Sequence, residues 1–413
     1  MKARSAAIIG GGPAGFIAAI SLAENNSAKE FTIDIFDKKE PLTKLLLTGG
    51  GRCNITNATY DHKELASNYP RGEKFLYSVF KKFGVKETIG WFDRHGAKLY
   101  TQEDKRVFPK SNDANTVRNL LMNEAKRLKI NIKAHTPVIK TEYSDNKFLL
   151  NIHNSILKYD KIIISTGGNS KNISNSGYNL AKSLGHKVTE LRQSLTAFIV
   201  KEKWTSELAG VSVKEAEITA FFENKQTAKV SGDFIFTHNG VSGPAVFKIS
   251  SYCAFLDYDR LNPIILKINF IPQKKADEVE KELLKEFEEN SKKSIINILN
   301  KYAPKSVIMM LLSLQSMNPE KKASRITREE RKNIVKLLTS TKLTVKSPEP
   351  DGEIVTAGGV DLNEINSKTM ESKLVKGLYF CGEVLNIDGF TDGFNLQACW
   401  STGYIAGLSQ FII

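Results

Sequence analysis

The sequence predicts an α/β fold in which a parallel sheet with helical crossovers is interrupted by a β-rich insert. Three observations support this prediction. Residues 1–190 alternate buried strand patterns with amphipathic helices, residues 191–346 carry runs with a two-residue period and a helical segment at about 273–340, and residues 347–413 return to the first pattern. We therefore expect a discontinuous α/β domain with a β-rich domain inserted into it.

The first elements of the chain form a strand–helix–strand pattern. AAIIG at 6–10 and FTIDIFD at 31–37 are typical of buried strands, and Pro13–Glu24 between them is typical of a helix. Residues 111–129 start with polar residues and carry apolar side chains at helical spacing, which predicts another helix. Parallel strands joined by helices are therefore expected here.

The remaining elements of the first part are shorter. Three alternating runs at 135–143, 148–153 and 155–159 indicate a small antiparallel meander. KIIISTGG at 161–168 follows them and indicates one more buried strand, which ends on glycines. This strand is expected to extend the parallel sheet.

The insert begins where the helices give way to alternation. LTAFIVKEK, VKEAEITAFF and PIILKINF alternate with period two. Further on, Ala276, Val279, Leu283, Leu284 and Phe287 mark one apolar helix face. TREE, at 327–330, is a capping box that opens another helix.

The last part of the chain returns to the α/β domain. TVKSPEPDG at 344–352 is rich in proline and glycine and predicts a linker. LYFCGE at 378–383 indicates a buried strand, and residues 395–410 indicate a closing helix.

Composition excludes several classes of protein. The chain has 413 residues, of which 41% are hydrophobic and 25% charged, as in globular proteins. Its longest apolar run, VIMMLLSL, is too short to cross a bilayer. The apolar N-terminal stretch is broken by glycines and a proline and has no cleavage site, so we expect a cytoplasmic protein without membrane association. The four cysteines show neither C-x-x-C nor zinc spacing, so neither disulfides nor a structural metal are expected.

The net charge of +14 permits an acidic ligand or nucleic acid as a partner. However, the lysines are scattered and often stand beside glutamates, as in EVEKELLKEFEENSKK. That pattern is typical of a solvated surface. The sequence therefore favours a small-molecule substrate over nucleic acid, and it leaves the oligomeric state open.

The first glycine cluster carries the clearest functional signal. Gly10, Gly12 and Gly15 satisfy G-x-G-x-x-G between a predicted strand and a predicted helix, and Asp37 ends the next strand. This context predicts a Rossmann-like dinucleotide-binding domain. Gly10 would form the tight turn, Gly12 would let the backbone approach a pyrophosphate, and Gly15 would allow close packing of helix on strand. Asp37 would accept hydrogen bonds from ribose hydroxyls.

A second glycine cluster follows in LLLTGGGRCNITN, at 45–57, and predicts a loop. Consecutive glycines allow backbone N–H groups to line up against a flat or charged ligand. Arg52 could contact a phosphate or the substrate. Cys53 is either a small packing residue or a redox-active thiol without a partner cysteine.

Several motifs together resemble the aminoacetone-oxidase-like flavoproteins, which are also described as bile-acid-reductase-like NAD(P)/FAD-dependent oxidoreductases. These motifs are IIGGGPAG, LLLTGGGRCNITN, RVFPKS, IIISTGG, FTHNGVSGPAV and the long stretch from TAGGVDL to GYIAG. They span nearly the whole chain in the same order. The resemblance implies a FAD-binding fold of the two-dinucleotide-binding-domain type with an inserted β-rich domain.

The resemblance also implies which residues hold FAD. Gly10, Gly12, Pro13, Ala14 and Gly15 correspond to the pyrophosphate turn. Asp37 corresponds to the ribose ligand, and the start of the last helix would direct its dipole at the flavin. The other implied cofactor-binding residues are Lys38, Lys44, Thr48, Gly49, Gly51, Arg52, Cys53, Asn54, Val138, Thr166, Gly167, Gly168, Gly382, Glu383, Phe394, Asn395 and Leu396.

Two positions depart from the pattern of this family. The family usually has a Gly-Gly pair before Tyr-Asn, whereas this chain has Asp392-Gly393 before Phe394-Asn395. Family members also tend to carry an acid at the position of Asn386. These departures leave the substrate less certain than the cofactor.

Flavin performs the redox step itself, so the protein needs at most one acid or base. His238, in a Gly/Pro-rich turn of the insert, is the first candidate because histidine transfers protons near neutral pH. It could equally be a structural turn residue. Ser242 is a second candidate, and Arg106 could bind an anionic substrate or nicotinamide cofactor, or be a solvated surface charge. His186 is expected to be structural.

These observations predict an FAD-dependent oxidoreductase that transfers hydride between NAD(P)H or oxygen and a small organic substrate of the enone, imine or amine type. No second complete G-x-G-x-x-G exists for NAD(P)H, so either NAD(P)H docks transiently at the flavin, or the enzyme is an oxidase or a reductase that uses another donor. Two alternatives remain open. One is a flavoprotein that binds or acts on RNA, and the other is a non-catalytic FAD-binding redox sensor.

Overall fold

The computed structural model describes residues 4–25, 31–153, 155–169, 176–350, 352 and 354–409. The chain divides into two compact units. The first comprises Met1–Arg192 and Val355–Ile413, and the second comprises Gln193–Ile354.

Nineteen strands are assigned among the described residues, and most of them are short. In chain order they are β1 Arg4–Ile9, β2 Phe31–Phe36, β3 Thr56–Asn57, β4 Leu99–Thr101, β5 Arg106–Pro109, β6 Asn131–Lys133, β7 Lys140–Ser144, β8 Lys147–Ile152, β9 Ser155–Tyr159, β10 Lys161–Ile164, β11 Arg192–Ser194, β12 Phe198–Val200, β13 Ser212–Phe222, β14 Lys225–Phe236, β15 Gly240–Ser242, β16 Ile265–Asn269, β17 Thr341–Pro348, β18 Val355–Ala357 and β19 Leu378–Phe380.

Twelve α-helices are assigned in the same part of the chain. They are α1 Pro13–Glu24, α2 His62–Ala66, α3 Glu73–Phe80, α4 Val85–Arg94, α5 Ala114–Arg127, α6 Ser176–Ser183, α7 Pro244–Tyr252, α8 Ala276–Glu289, α9 Ile295–Leu299, α10 Lys305–Ser313, α11 Arg328–Ser340 and α12 Phe394–Leu408. Short 3-10 helices cover Thr43–Gly51, Lys203–Leu208, Ala323–Arg325, Leu362–Glu364 and Gly382–Val384.

The first unit is built on a five-stranded sheet with the order β19-β10-β1-β2-β6. All four strand pairs are parallel. The chain runs from β1 to β2 and β6 on one side and returns to β10 and β19 on the other. The switch point between β1 and β10, where ligands of such sheets bind, therefore lies at the carboxyl ends of these two strands.

Helices α1 and α12 pack against each other through two glycines. A Cβ atom added at Gly403 would overlap the carbonyl oxygen of Ala14, and one added at Gly407 would overlap that of Ala18. The backbones therefore approach more closely than larger residues would permit. This packing fixes the orientation of α1, whose first turn begins directly after the Gly10–Gly12 segment.

The second unit contains a closed barrel with the strand order β12-β15-β14-β13-β16-β17. Closure requires β17 to pair antiparallel with both β16 and β12, with Phe198 opposite Pro348. Inward-facing apolar side chains such as Ile218, Leu266 and Val345 are completely buried. Helices α8 to α11 follow β16. The predicted β-rich insert with a helical segment is thus present, but closure into a barrel was not predicted.

Some local expectations need correction. The stretch predicted as a linker at 344–352 is strand up to Pro348, because it pairs within the barrel, and the first unit resumes at Val355 rather than at residue 347. Ala276 and Leu284 are exposed, although Val279 and Leu283 on the same helix are buried. The predicted end of the last helix at 410 lies outside the described residues.

Other local expectations are confirmed. Strands β7, β8 and β9 form the antiparallel meander. Thr327 and Glu330 form the capping box, because each side chain accepts the backbone N–H of the other residue. Among the described residues, no helix combines the length and the apolar character needed to span a membrane.

Candidate cofactor site

The first glycine turn lies at the carboxyl end of β1. Gly10 has a φ of 113°, and a Cβ atom at this position would lie 2.5 Å from the Ser165 carbonyl oxygen at the end of β10. A Cβ atom at Gly15 would lie 2.7 Å from Ser165 Oγ, so the helix packs tightly on the strand. These two glycines are therefore required by the protein itself.

Gly12 differs, because nothing in the protein requires a glycine there. Its φ of −84° suits any residue, and an added Cβ would have no neighbour within 4 Å. Gly12 is the N-cap of α1, and no side chain caps the helix. Open space thus lies over backbone N–H groups and the positive end of a helix dipole, which is the arrangement that binds phosphate.

Asp37 follows β2 and organises the same turn. Its Oδ2 accepts a hydrogen bond from the N–H of Gly11 at 2.8 Å, and its Oδ1 accepts one from Lys39. Its carbonyl oxygen accepts a hydrogen bond from the N–H of Thr136 at 2.7 Å. This bond brings the segment that carries the buried Val138 next to Asp37. Lys38 and Lys44, on either side of the following turn, are exposed.

The second glycine loop starts beside the first, since the N–H of Leu42 donates to the carbonyl oxygen of Gly11 at 2.9 Å. Gly49, Gly50 and Gly51 have φ values of 57°, 67° and 85°. Gly49 packs on Asn54 and Phe108, whereas an added Cβ at Gly50 would have no neighbour within 4 Å. The loop therefore presents open backbone at Gly50, a conformation that glycine permits.

Arg52 and Cys53 in this loop differ in accessibility. The guanidinium carbon of Arg52 lies 4.1 Å from the centre of the Phe108 ring, and its Nε donates to the carbonyl oxygen of Gly49 at 3.2 Å. Cys53 is completely buried, and burial raises the pKa of its thiol to about 12. The thiol therefore stays protonated at neutral pH, which favours the packing role over the redox role.

The turn after β10 meets the turn after β19. The N–H of Thr356 donates to Oε1 of Glu383 at 3.0 Å, and the backbone of Gly168 also donates to this carboxylate. Burial raises the pKa of Glu383, and the two backbone hydrogen bonds oppose that rise. Gly382 has a φ of 74°, and a Cβ there would lie 2.8 Å from Ala14 Cβ on α1. The late turn is therefore adjacent to the first one.

Helix α12 begins at Phe394 and is also uncapped by a side chain. A Cβ at its N-cap, Gly393, would lie 2.6 Å from the carbonyl carbon of Thr56, close to the end of the second glycine loop. The side chain of Asn395 is used within the protein, because it bonds the backbone of Gly389 in both directions at 2.8 Å. The backbone N–H groups of residues 394–396 therefore lie in the first turn of a helix, as the sequence predicts for this segment.

The residues predicted for catalysis lie in different units. Arg106 is in the first unit, where its Nη2 pairs with Asp104 Oδ2 at 2.6 Å, and this pairing raises its pKa further. His238 is exposed in the turn between β14 and β15 of the second unit. Ser242 is half-buried at the end of β15, opposite Ile235.

Sequence reasoning missed residues that support the site from distant segments. The Oγ1 of Thr402 accepts a hydrogen bond from the N–H of Gly382 at 2.9 Å. The Phe108 ring contacts both Gly49 and the Arg52 guanidinium. Neither residue lies in a glycine motif. Only the packing of α12 and β5 shows that these side chains reach the turns.

The chain matches the family model described as HI0933-like protein Rossmann domain over residues 4–409. It belongs to this family. A 3-dehydro-bile acid delta(4,6)-reductase from Clostridium scindens is 32% identical over 408 residues, which make up 97% of each chain. A ribosomal RNA dihydrouridine synthase from Escherichia coli is 29% identical over 411 residues and covers 98% of this chain and 97% of its own.

A solved structure shares the fold. The 3-ketosteroid delta1-dehydrogenase from Sterolibacterium denitrificans superimposes with a TM-score of 0.54 at 10% identity, covering 98% of this chain and 99% of that one. The predicted family resemblance and the Rossmann-like fold with a β-rich insert are therefore confirmed, and the HI0933-like chain is a flavoenzyme oxidoreductase.

The geometry fits FAD, which the family implies. Open space lies next to Gly12, Gly50 and Gly167, where an added Cβ would meet nothing within 4 Å. In addition, Asn54 Oδ1 and Thr166 Oγ1 are buried and have no hydrogen-bond partner within the described part of the chain. Since buried polar groups are normally bonded, a polar ligand would remove this deficit.

Proposed function

We propose that this HI0933-like protein is an FAD-dependent reductase of a carbon–carbon double bond conjugated to a carbonyl group. The bile-acid reductase supports this substrate class, because it is 32% identical over nearly the entire length of both chains. The dihydrouridine synthase supports the same chemistry. The C5–C6 double bond of uracil, which is saturated in dihydrouridine, is also conjugated to a carbonyl.

The observation that carries this proposal is the unfilled space at Gly12, over the uncapped start of α1. The N–H groups there would hold the pyrophosphate, and Asp37 would hold the adenosine ribose. The backbone start of α12 would stabilise negative charge on the reduced cofactor. Bound FAD supplies hydride transfer.

The chain itself has to supply a proton for the carbon next to the carbonyl, together with a hydrogen-bond donor for the carbonyl oxygen. His238 is the first candidate for the proton, because its imidazole is exposed and histidine is the side chain that most often acts as a general acid. Ser242 and Arg106 remain candidates for the donor. We expect His238→Gln to slow substrate reduction while FAD binding and flavin reduction stay unchanged.

The test separates the two half-reactions. The protein with bound FAD is mixed anaerobically with NADH or NADPH, and loss of the flavin absorbance reports its reduction. The reduced protein is then mixed with enones, the matching saturated ketones, imines, amines or oxygen. We expect reoxidation by the enones in a 1:1 ratio and none by the saturated ketones. Reoxidation by oxygen alone would contradict the proposal.

A second candidate substrate is a uridine within RNA. The Escherichia coli relative and the formal charge of +14 favour it. In the second unit, two backbone hydrogen bonds between residues 293–295 and 321–323 bring several exposed cations together. These are Lys292, Lys293, Lys322 and Arg325.

An RNA substrate can be distinguished by binding and by chemistry. We would titrate a ribosomal RNA fragment over a salt series, with the protein and with a variant carrying Gln at all four cationic positions. RNA binding predicts a steep salt dependence that is reduced in the variant. It also predicts that the RNA fragment, but not free uridine, reoxidises the reduced flavin. Salt-independent or unmeasurable binding excludes this candidate.

A further inference from the structure

Three buried polar groups surround the turn that follows β10, and none of them has a hydrogen-bond partner among the described residues. They are Thr166 Oγ1, Asn169 Oδ1 and the hydroxyl of Tyr178. Tyr178, on α6, is only 2% exposed. Burying a hydroxyl or amide without a partner destabilises the folded protein. Three such groups at one turn indicate that something else normally bonds them.

Several contacts place these groups around a common region. A Cβ added at Gly177, the neighbour of Tyr178, would overlap Thr166 Oγ1, so the Thr166 hydroxyl lies against the start of α6. Tyr178 also interacts electrostatically with Glu383, which accepts the N–H of Gly168. The N–H of Asn169 is fixed by Thr356 Oγ1 at 2.7 Å.

The same region adjoins the first glycine turn. A Cβ at Gly10 would lie 2.8 Å from Thr166 Cα, so the three unpartnered groups are continuous with the turn predicted to bind the pyrophosphate. A ligand that lies on Gly10–Gly12 can therefore extend toward Thr166 and Tyr178.

The types of polar group limit what this ligand can be. Thr166 and Tyr178 can donate or accept, whereas Asn169 Oδ1 and the Glu383 carboxylate accept. A phosphate offers only acceptors and would leave Asn169 Oδ1 unbonded. A chain of hydroxyl groups offers both donors and acceptors and satisfies all of them.

We infer that Thr166, Asn169 and Tyr178 form a pocket for the hydroxyl-bearing ribityl chain of FAD. This inference rests on the proposed function only in taking FAD as the cofactor. It assigns Asn169 and Tyr178, which belong to none of the glycine motifs, to the binding site.

Tyr178→Phe tests the inference, because it removes one oxygen atom and keeps the ring. The dissociation constant of FAD is measured from flavin fluorescence released on dilution of the holoenzyme. Thermal unfolding over a series of FAD concentrations is extrapolated to zero free FAD, which gives the stability of the protein alone. We expect FAD to bind about tenfold more weakly, which corresponds to about 1.4 kcal/mol. The extrapolated melting temperature should be unchanged or higher, since an unpartnered hydroxyl has been removed.

Tyr159→Phe is the matched control. The Tyr159 hydroxyl already donates to the buried carboxylate of Asp34, away from the glycine turns. Its removal should lower the melting temperature and leave FAD affinity unchanged. Tyr178→Phe is thus expected to weaken FAD binding without lowering the melting temperature. Tyr159→Phe is expected to lower the melting temperature without weakening FAD binding.

Two results would overturn the inference. Unchanged FAD affinity in Tyr178→Phe would mean that water or a substrate group occupies the pocket. A lower extrapolated melting temperature with unchanged affinity would assign Tyr178 a structural role. Asn169→Ala provides a second variant with the same expected loss of affinity. Because the readout is FAD binding, failure of the reductase assay does not affect it.

Discussion

The Nε2 atom of His186 accepts a hydrogen bond from the Ser372 hydroxyl at 2.8 Å. The direction follows from the other bonds of Ser372, because its Oγ already accepts the N–H groups of Leu374 and Val375. The proton of His186 therefore sits on Nδ1 and is donated to Glu364 Oε2 at 2.9 Å. A neutral imidazole with one defined tautomer thus joins the segment that follows α6 to Glu364 and Ser372 in the final part of the chain.

We expect this arrangement to weaken at mildly acidic pH. Burial lowers the pKa of His186 below 6.5, and Glu364 only partly offsets the effect. The unfolded chain therefore binds this proton more readily than the folded one. The contribution of neutral His186 to the free energy of unfolding is complete above pH 6.5. It is lost as pH falls through the lowered pKa of His186, with a slope of at most about 1.4 kcal/mol per pH unit.

Urea unfolding between pH 5 and 8 checks this expectation. The free energy of unfolding of His186→Gln should be lower at pH 8 and should fall less steeply below pH 6.5 than that of the unchanged protein. Parallel pH profiles for the two proteins would show that His186 does not titrate on unfolding.

Gly12→Val should separate FAD binding from folding. The position has space for a side chain and an ordinary φ, so the variant should fold. The added methyl groups would cover the N–H groups at the start of α1, and each charge-assisted hydrogen bond lost costs about 1.5–3 kcal/mol. We expect at least about 100-fold weaker FAD binding with a small change in the extrapolated melting temperature.

Gly90→Ala is the control for that variant. Gly90 lies within α4, and a Cβ there meets only Arg94 Nη1 at 3.4 Å. It should unfold at a slightly higher temperature, since alanine favours helix, and bind FAD normally. If Gly12→Val kept full FAD affinity, the pyrophosphate would have to lie elsewhere.

Arg71 and Asp388 form a buried two-pronged ion pair in the first unit. The Asp388 side chain is fully buried, so removing Arg71 takes a charged partner away from a buried carboxylate. Arg71→Met should therefore lower the free energy of unfolding by about 3–5 kcal/mol. The double variant with Asp388→Leu should regain much of that loss, and equal instability of both variants would argue against the pair as the cause.

Cys53 should be chemically inert in the folded protein. Its thiol is buried and has a pKa of about 12, and Cys253 in the other unit has the same properties. We expect iodoacetamide at pH 7.5 to modify neither residue unless urea is present, as measured by mass spectrometry of peptides. Cys53→Ala should retain flavin reduction by its electron donor. Rapid alkylation of Cys53 in the native state would instead support a redox role for this thiol.

Local signals made the dinucleotide turn predictable. G-x-G-x-x-G and Asp37 lie within one strand–helix–strand unit, and Asp37 does bond to the N–H of Gly11. The Thr327–Glu330 capping box likewise depends on neighbours in sequence. In both cases the residue types and their spacing determine the backbone conformation locally. The residues involved lie within a few positions of each other or within one strand–helix–strand crossover.

Other features depended on partners far apart in the chain. Barrel closure pairs Phe198 with Pro348, and no local pattern in either strand reveals this. The proline and glycine residues at and after the end of β17 indicate a linker, and only the pairing within the barrel shows that this segment is a strand. Tyr178 likewise shows nothing unusual in sequence, since only the fold reveals that its hydroxyl is buried and unpartnered.

The contact of Gly403 and Gly407 with α1 sets an order of events for this enzyme. Helix α1 precedes α12 in sequence by most of the described chain, so the ribosome makes α1 long before the helix that packs against it. Until α12 docks, α1 lacks the backbone contacts that Gly403 and Gly407 make with Ala14 and Ala18. The orientation of α1, and with it that of the glycine turn before it, is therefore fixed only after α12 has been made.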